Sequence, residues 1–247
     1  MRGLLKLIQV EFLKLRRRKL IWIMLLAAFV MPFFALLYFN YFGKTGVDPM
    51  LFYKWSAFGY TSFIILPFIL GILCTILMHD ENRYDMMKQL WIVPVSKMGY
   101  FFSKFVIVLV YAICFMLITA VASVLFSVLS GYVIFDWESV SFLLERCLET
   151  ALLAALAILP ILAAAASQKG YILPVCTLLV YIFFGFFIMS VNMYLHPLSG
   201  IAVIIARDGE IPGLALTQAA HVPLALLCFC VWDVAAVILA KITLRRK

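Results

Sequence analysis

Six long apolar stretches constrain this chain more than any other feature of its sequence. Each is long enough, or nearly so, to cross a bilayer as a helix, which takes about 20 residues. They cover residues 20–39, 60–78, 105–129, 150–166, 171–194 and 221–240. With 66% hydrophobic and 13% charged residues, the chain is too apolar for a soluble domain. The alternating pattern of a membrane barrel is absent, so we predict an all-α polytopic membrane protein with six transmembrane helices.

Positive charges predict how these helices are oriented, because Lys and Arg concentrate on the cytoplasmic side of a membrane. Six spans place both termini on one side, together with residues 79–104 and the turn at 167–170. That side carries 16 Lys and Arg residues, and the opposite side carries 4. We therefore predict cytoplasmic termini, and we attribute the net charge of +8 to topology rather than to nucleic-acid binding.

The segment before the first span, residues 4–19, predicts an amphipathic helix lying in the cytoplasmic interface. Apolar residues recur there at helical spacing, with Lys6, Glu11 and Lys14 between them. The basic run that follows suits anionic headgroups. A simple topology signal would explain the basic run but not the apolar stripe. The residues expected to form this interfacial helix are Leu5, Ile8, Phe12, Arg16, Arg17 and Arg18.

Three segments connect the spans on the predicted outer side. Residues 43–57 are expected to be a short loop, and residues 131–146 a second loop with Trp137 at headgroup level. In the third, residues 195–220, two short apolar pieces flank the charged sequence RDGE. Neither piece is long enough to span, so we predict short re-entrant or interfacial helices there. One membrane domain is expected to fill residues 1–247.

Span four is distinguished by its small residues, with eight alanines between positions 151 and 166. Small residues let helix backbones approach closely. This helix is therefore expected to be buried in the bundle or at a subunit interface. Pro160 is expected to kink it, because proline interrupts the helical hydrogen bonds.

Asp233 is the one acidic residue placed well inside a predicted span. It lies two turns from Lys241, about 12 Å deep at the helical rise. Acidic residues in membranes often mark ion pathways or proton relays. The alternative is a structural hydrogen bond to a neighbouring helix. A stand-alone secondary transporter or channel that uses Asp233 is accordingly our second hypothesis for the chain.

The sequence carries no recognisable motif for nucleotide binding, metal binding or catalysis. The stretch GKTG at 43–46 lacks both the upstream glycine and the preceding strand of a phosphate-binding loop. The three histidines are predicted near span ends on both sides of the membrane, so they cannot form one site. We therefore predict a chain that is not itself an enzyme, without catalytic residues, a metal site or a cofactor of its own.

The cytoplasmic connection 79–104 is much longer than a turn requires. Its middle, residues 81–91, predicts a short amphipathic helix, because Tyr84, Met87 and Leu90 recur at helical spacing. A break at Pro94 and a second helix entering span three are expected to follow. The segment is either a solvated connector or a docking helix on which another protein pushes. The candidate docking residues are Glu81, Arg83, Tyr84, Asp85, Met87, Lys88, Leu90, Trp91 and Pro94.

This connection resembles that of the permeases in the second ABC exporter superfamily. The shared elements are Glu81, Leu90, the Pro-Val-Ser at 94–96 and Lys104. The N-terminal amphipathic helix and the six spans with inside termini also match. Within the superfamily, the chain is similar to small permeases of lantibiotic-immunity and bacitracin-resistance exporters. It departs where many members carry Gly-Thr after the glutamate, since NRYDMMK stands there instead.

The resemblance implies a permease that works with partners in the bacterial plasma membrane. Two permease subunits, identical or paralogous, would pair, and two separate ATPase chains would bind ATP and Mg beneath them. Residues 81–91 would be the coupling helix seated in an ATPase groove, and residues 4–19 the connecting helix. Relatives of this kind confer antibiotic resistance by removing amphipathic peptides from the membrane. A lantibiotic or bacitracin-like peptide is therefore the expected substrate.

Overall fold

The computed structural model describes residues 2–42, 48–83, 96–168, 170–209, 211 and 218–246. Across these residues, six helices are long and apolar enough to cross a membrane. Spans one to six are Lys19–Tyr41, Pro49–His79, Lys97–Leu129, Trp137–Ser167, Ile172–Val191 and Val222–Arg245. The prediction of an all-α protein with six spans is confirmed. We name the end of the bundle that carries the N-terminal helix the inner end, after the predicted orientation, and the opposite end the outer end.

The N-terminal helix, Arg2–Arg16, is separate from span one. Arg17 lies in a turn, and Arg18 is extended (φ −105°, ψ 103°) before the first residue of span one. This break lets the N-terminal helix leave the direction of the span and pack against span three. The helix is confirmed, while its location in the membrane interface stays a prediction.

Span two begins well before residue 60, so the predicted outer loop 43–57 is wrong from residue 49 onward. Asp48 caps the helix by accepting a hydrogen bond from the Met50 N–H at 3.1 Å, and Pro49 occupies its first position. Two wider, π-helical segments follow, Lys54–Phe58 and Thr61–Ile65. This part of the helix is covered by protein, so polar residues are tolerated in it. Its hydropathy is therefore lower than that of a lipid-facing span.

Span four also begins early, so the predicted loop 131–146 is wrong from Trp137 onward. Asp136 caps this helix by accepting from the Ser139 N–H at 2.9 Å. The helix is interrupted at Ile158 and resumes at Leu159, next to Pro160, while a kink of the helix axis stays a prediction. Its alanines are almost all buried within the chain, so of the two predicted positions the bundle interior is the one observed.

Span three forms hydrogen bonds with spans one and two. The Tyr111 hydroxyl donates to the Ile21 carbonyl at 2.9 Å, deep in the contact with span one. Near the outer end, the hydroxyl oxygens of Ser56 and Ser123 lie 2.9 Å apart across the contact with span two. Bonds of this kind hold helices together where lipid provides no hydrophobic driving force between them.

A short helix, Pro197–Ile205, follows span five and is buried throughout. It packs against spans four, five and six. Gly185 permits the close approach, because a Cβ there would lie 2.7 Å from Nδ1 of His196. The first of the two apolar pieces expected in 195–220 is thus a helix, while residues 212–217 of the second lie outside the described residues. That the segment is re-entrant stays a prediction.

Candidate functional site

The inner end holds a buried ion pair between the N-terminal helix and span three. Glu11 and Lys104 are 3% and 1% exposed, and Lys104 Nζ lies 2.5 Å from Glu11 Oε2. Lys14 Nζ, which is more exposed, lies 2.9 Å from the other carboxylate oxygen. The attraction between the two buried charges is strong because water does not screen it. The pair therefore fixes the N-terminal helix to span three at one point.

From Lys104, contacts continue to span two. Lys104 Nζ lies 5.2 Å from the centre of the Tyr100 ring, within cation–π range. The Tyr100 hydroxyl in turn lies 3.6 Å from the sulfur of Met78, at the inner end of span two. All three side chains are almost fully buried. The N-terminal helix is thus connected, through span three, to the residues that immediately precede the predicted coupling segment.

The start of span three also contacts span six. Ser96 caps the helix by accepting from the Gly99 N–H at 3.0 Å, which confirms the predicted second helix entering span three. Lys97 donates to the carbonyl of Leu244, at the inner end of span six, at 2.7 Å. The inner end of span three therefore contacts the N-terminal helix, span two and span six.

The predicted coupling residues lie next to this junction along the chain. Glu81 and Arg83 are in the last turn of the helix Leu66–Arg83, which extends beyond the end of span two at His79. The remaining candidates lie outside the described residues. They are Tyr84, Asp85, Met87, Lys88, Leu90, Trp91 and Pro94. Their role in ATPase coupling stays a prediction.

The predicted interfacial residues occupy more than one face of the N-terminal helix. Leu5 and Phe12 are exposed, 60% and 40%, whereas Ile8 is half-buried. Arg16, Arg17 and Arg18, grouped at the corner before span one, are also exposed. The buried centre of the helix is Glu11, which the sequence pattern had placed among the polar positions. The exposed apolar residues are available to lipid, and the buried face is attached to span three by the ion pair of Glu11 with Lys104.

Asp233 lies midway along span six. It is half-buried, and its Oδ1 is enclosed without a hydrogen bond to any of the described residues. The neighbouring Trp232 ring packs against Tyr181 of span five at 6.0 Å. The Tyr181 hydroxyl donates to the carbonyl of Ala157, at the break in span four. Asp233 therefore borders a contact of spans four, five and six, and its function stays a prediction.

His196 completes this region from the outer side. It caps the short helix, with Nδ1 accepting from the Leu198 N–H at 3.3 Å. Its ring lies 4.3 Å from the Tyr181 ring and 5.4 Å from the Trp232 ring. The side chain is fully buried, which its predicted position near a span end did not indicate. Since Nδ1 accepts a hydrogen bond, the imidazole carries its proton on Nε2.

A second charged cluster ties the short helix to span four at the outer end. Arg207 reaches both carboxylate oxygens of Glu149, at 2.5 and 3.1 Å. Arg146 lies 2.6 Å from the same carboxylate, one turn away on span four. The Arg207 and Glu149 side chains are about a third exposed, so this cluster is more accessible than the inner ion pair.

Spans one and two line an open aromatic cavity of about 650 Å³ near the outer end. Its lining includes Phe34, Tyr38, Tyr41, Trp55 and Tyr60. The Tyr38 and Trp55 rings stack at 4.8 Å, which gives one wall a flat aromatic surface. A cavity of this volume and lining suits an apolar or aromatic group of a ligand.

Sequence reasoning missed the partner of Lys104 and the burial of His196. Lys104 was singled out by the resemblance, but Glu11 lies far away along the chain. One signal was available, since Glu11 is the only acidic residue before Asp48 in a strongly basic segment. No comparable signal marked His196, because its burial depends on how the short helix folds back against Gly185.

Comparison with known proteins agrees with this architecture. Residues 7–185 match the family model described as ABC-2 family transporter protein, well over half of the chain. The matched range contains most of the N-terminal helix, the ion pair and the predicted coupling segment. A search of curated proteins finds no match. The chain therefore belongs to the ABC-2 family of transporter proteins, as a multi-pass permease subunit of the bacterial plasma membrane.

Proposed function

We propose that this permease, with separate ATPase chains, exports an amphipathic peptide antibiotic of the lantibiotic or bacitracin type. The ATPases would bind ATP and Mg, and two permease subunits would pair in the membrane. The family supports the permease role and implies ABC ATPase partners. The specific substrate and the pairing are the parts that require testing.

The aromatic cavity is the observation that carries the substrate proposal. It lies between spans one and two near the outer end, where a peptide inserted in the outer leaflet would arrive. Its aromatic lining suits the apolar side chains of such a peptide, and Asn40 adds a polar side chain to that lining. All residues between the predicted spans on the outer side, including Glu149, provide 7 acidic residues against 4 basic ones, a small excess that favours a cationic peptide.

The inner end supports a route by which ATPase movement would reach the membrane. A push on residues 81–91 would act on span two, where Met78 contacts Tyr100. Tyr100 lies beside Lys104, and Lys104 holds the N-terminal helix through Glu11. The proposed coupling helix and connecting helix would thus move as one unit with the inner end of span three.

The test is resistance and ATP hydrolysis with the ATPase encoded nearest this gene. Co-expression in a peptide-sensitive bacterium should raise the inhibitory concentration of a lantibiotic or of bacitracin. The two proteins should also co-purify, and the peptide should increase ATP hydrolysis. Protection that persists with an ATPase unable to hydrolyse ATP would refute the ATP-driven mechanism.

A variant of the cavity tests peptide binding separately from the permease role. Trp55→Ala removes one stacked wall of the cavity and should lower protection while leaving complex formation unchanged. Trp137→Ala is the matched control, because Trp137 is exposed at the start of span four and does not line the cavity. Equal protection by both variants would exclude the cavity as the peptide site without affecting the permease role.

A further inference from the structure

A second cavity lies near the inner end, between the N-terminal helix, the beginning of span one and span three. Its volume is about 280 Å³. Phe12, Leu15, Trp22, Leu25 and Ile107 contribute to its lining. These residues belong to a different part of span one from the aromatic cavity described above, so the two cavities are separate.

The lining combines an apolar interior with one cation. Arg16, at the end of the N-terminal helix, is the single charged residue among the described residues that line the cavity. Tyr111 also contributes, but its hydroxyl already donates to the Ile21 carbonyl. An interior of this kind does not retain water, because water needs several polar partners. The fitting occupant is apolar along its length and negatively charged at one end.

The surroundings of Arg16 strengthen the charge preference. Arg17, Arg18 and Lys19 follow directly, and all four residues are exposed at the corner between the N-terminal helix and span one. A cluster of four cations beside an apolar cavity attracts the anionic headgroups of a membrane leaflet. Trp22, at the edge of the cavity, is 57% exposed, so the cavity is open to a lipid chain from the side.

We propose that this cavity binds one anionic phospholipid, with an acyl chain between Phe12, Leu25 and Ile107 and its phosphate at Arg16. A free phosphate would leave the apolar part of the cavity unfilled. A zwitterionic lipid would fill it without using the four cations. The site does not depend on the transported substrate, and its test does not require transport.

The test uses the full-length chain with Trp22 as its only tryptophan, the other four being replaced by Phe. The protein is reconstituted in phosphatidylcholine vesicles with rising fractions of brominated phosphatidylglycerol, which quenches nearby tryptophan fluorescence. Arg16→Gln should shift half-quenching to about fivefold more phosphatidylglycerol, the factor expected for one basic residue at a lipid surface. Lys6→Gln is the matched control, since this exposed cation lies on the same helix about 15 Å away.

Brominated phosphatidylcholine distinguishes the proposed site from the surrounding lipid. Quenching by this lipid that equals quenching by phosphatidylglycerol, and is unchanged by Arg16→Gln, would overturn the proposal. Recovery of Trp22 fluorescence when a lantibiotic displaces the brominated phosphatidylglycerol would overturn it too, since the cavity would then be a peptide site.

A second measurement does not depend on the tryptophan replacements. Native mass spectrometry of the wild-type chain should show one phosphatidylglycerol retained after mild delipidation. Cys114→Trp, which fills the cavity from span three without changing charge, should release it. Retention by this variant equal to that of the wild type would refute the cavity as the binding site.

Discussion

Each end of the bundle contains an ion pair between two helical segments, but the two pairs differ in their exposure to solvent. At the inner end, Glu11 and Lys104 are almost completely enclosed by protein. At the outer end, Glu149 binds Arg207 with both side chains about a third exposed. Water and salt screen the outer pair and hardly reach the inner one. The inner pair is therefore a fixed connection, which is costly to break, whereas the outer pair can open at little cost.

This difference fits the work expected of each end. In the proposed mechanism the inner end would transmit force from an ATPase, and a connection that is costly to break would transmit movement without loosening. The outer end would let the substrate leave, so a contact that opens at little cost would be suitable there. The four predictions that follow test this contrast, from the largest expected effect to the smallest.

Glu11→Gln should damage the protein most, because it leaves the ammonium of Lys104 buried without its opposite charge. Removing one member of a buried pair costs about 3–5 kcal/mol. We expect a large loss of thermal stability in detergent and faster hydrogen exchange across the N-terminal helix.

Two further variants sharpen this result. Glu11→Leu combined with Lys104→Met removes both charges and should recover most of the lost stability. Lys14→Gln removes only the exposed partner of Glu11, whose side chain is 41% exposed, and should change little. If the Lys14 and Glu11 variants proved equally stable, the inner pair would not be a fixed connection.

Leu90→Asp and Glu81→Lys should abolish transport without changing stability or membrane insertion. Both would disrupt docking on an ATPase, whereas the ion pair of the inner end stays intact. Peptide resistance and ATPase co-purification measure the first effect, and thermal unfolding in detergent measures the second. Normal transport by both variants would remove the assignment of residues 81–91 as the coupling helix.

Arg207→Gln should cost at most about 1 kcal/mol, because exposed ion pairs contribute little. The difference from the wild type should shrink further at high salt. Glu149→Gln should cost more, since it also removes the ion pair with Arg146, which is only 8% exposed. Thermal unfolding at low and high salt tests this order. A loss of stability in Arg207→Gln as large as that in Glu11→Gln would contradict the proposed difference between the two ends.

The smallest effect is expected at Asp136, which caps span four at the outer end. Hydrogen bonds from the side chain and backbone of Ser139 hold the pKa of this carboxyl below its usual value. A lowered pKa stabilises the fold fully above the unfolded pKa, near 4, and the contribution is lost as pH falls through the folded value. Asp136→Ala should therefore speed exchange of the Glu138 and Ser139 amides at neutral pH, and the difference should fade in acid.

Asp136→Asn is the control, because asparagine caps helices equally well and does not titrate. Its exchange should stay close to wild type at neutral pH and show no acid transition at these amides. An acid transition that persists in this variant would assign the pH dependence to another group.

Regions covered by protein account for the errors in the predicted span boundaries. Hydropathy locates segments that suit lipid, so it found the cores of all six spans, and the proline at 160 indicated the break in span four. It missed the outer parts of spans two and four, where residues such as Ser56 and Arg146 are satisfied by neighbouring helices. Polar residues at those positions lower the apolar signal without ending the helix.

The sequence by itself determined the class of protein, the six spans, the separate N-terminal helix and the family. Each of these depends on local pattern, namely apolar length, helical spacing and charges near span ends. Only the tertiary structure decided that Glu11 meets Lys104 and that His196 is buried against Gly185. These contacts join residues that are distant in sequence or separated by a chain reversal, so no local pattern specifies them. Packing of the helices selects the partners, and the enclosure that packing creates gives the inner ion pair its strength.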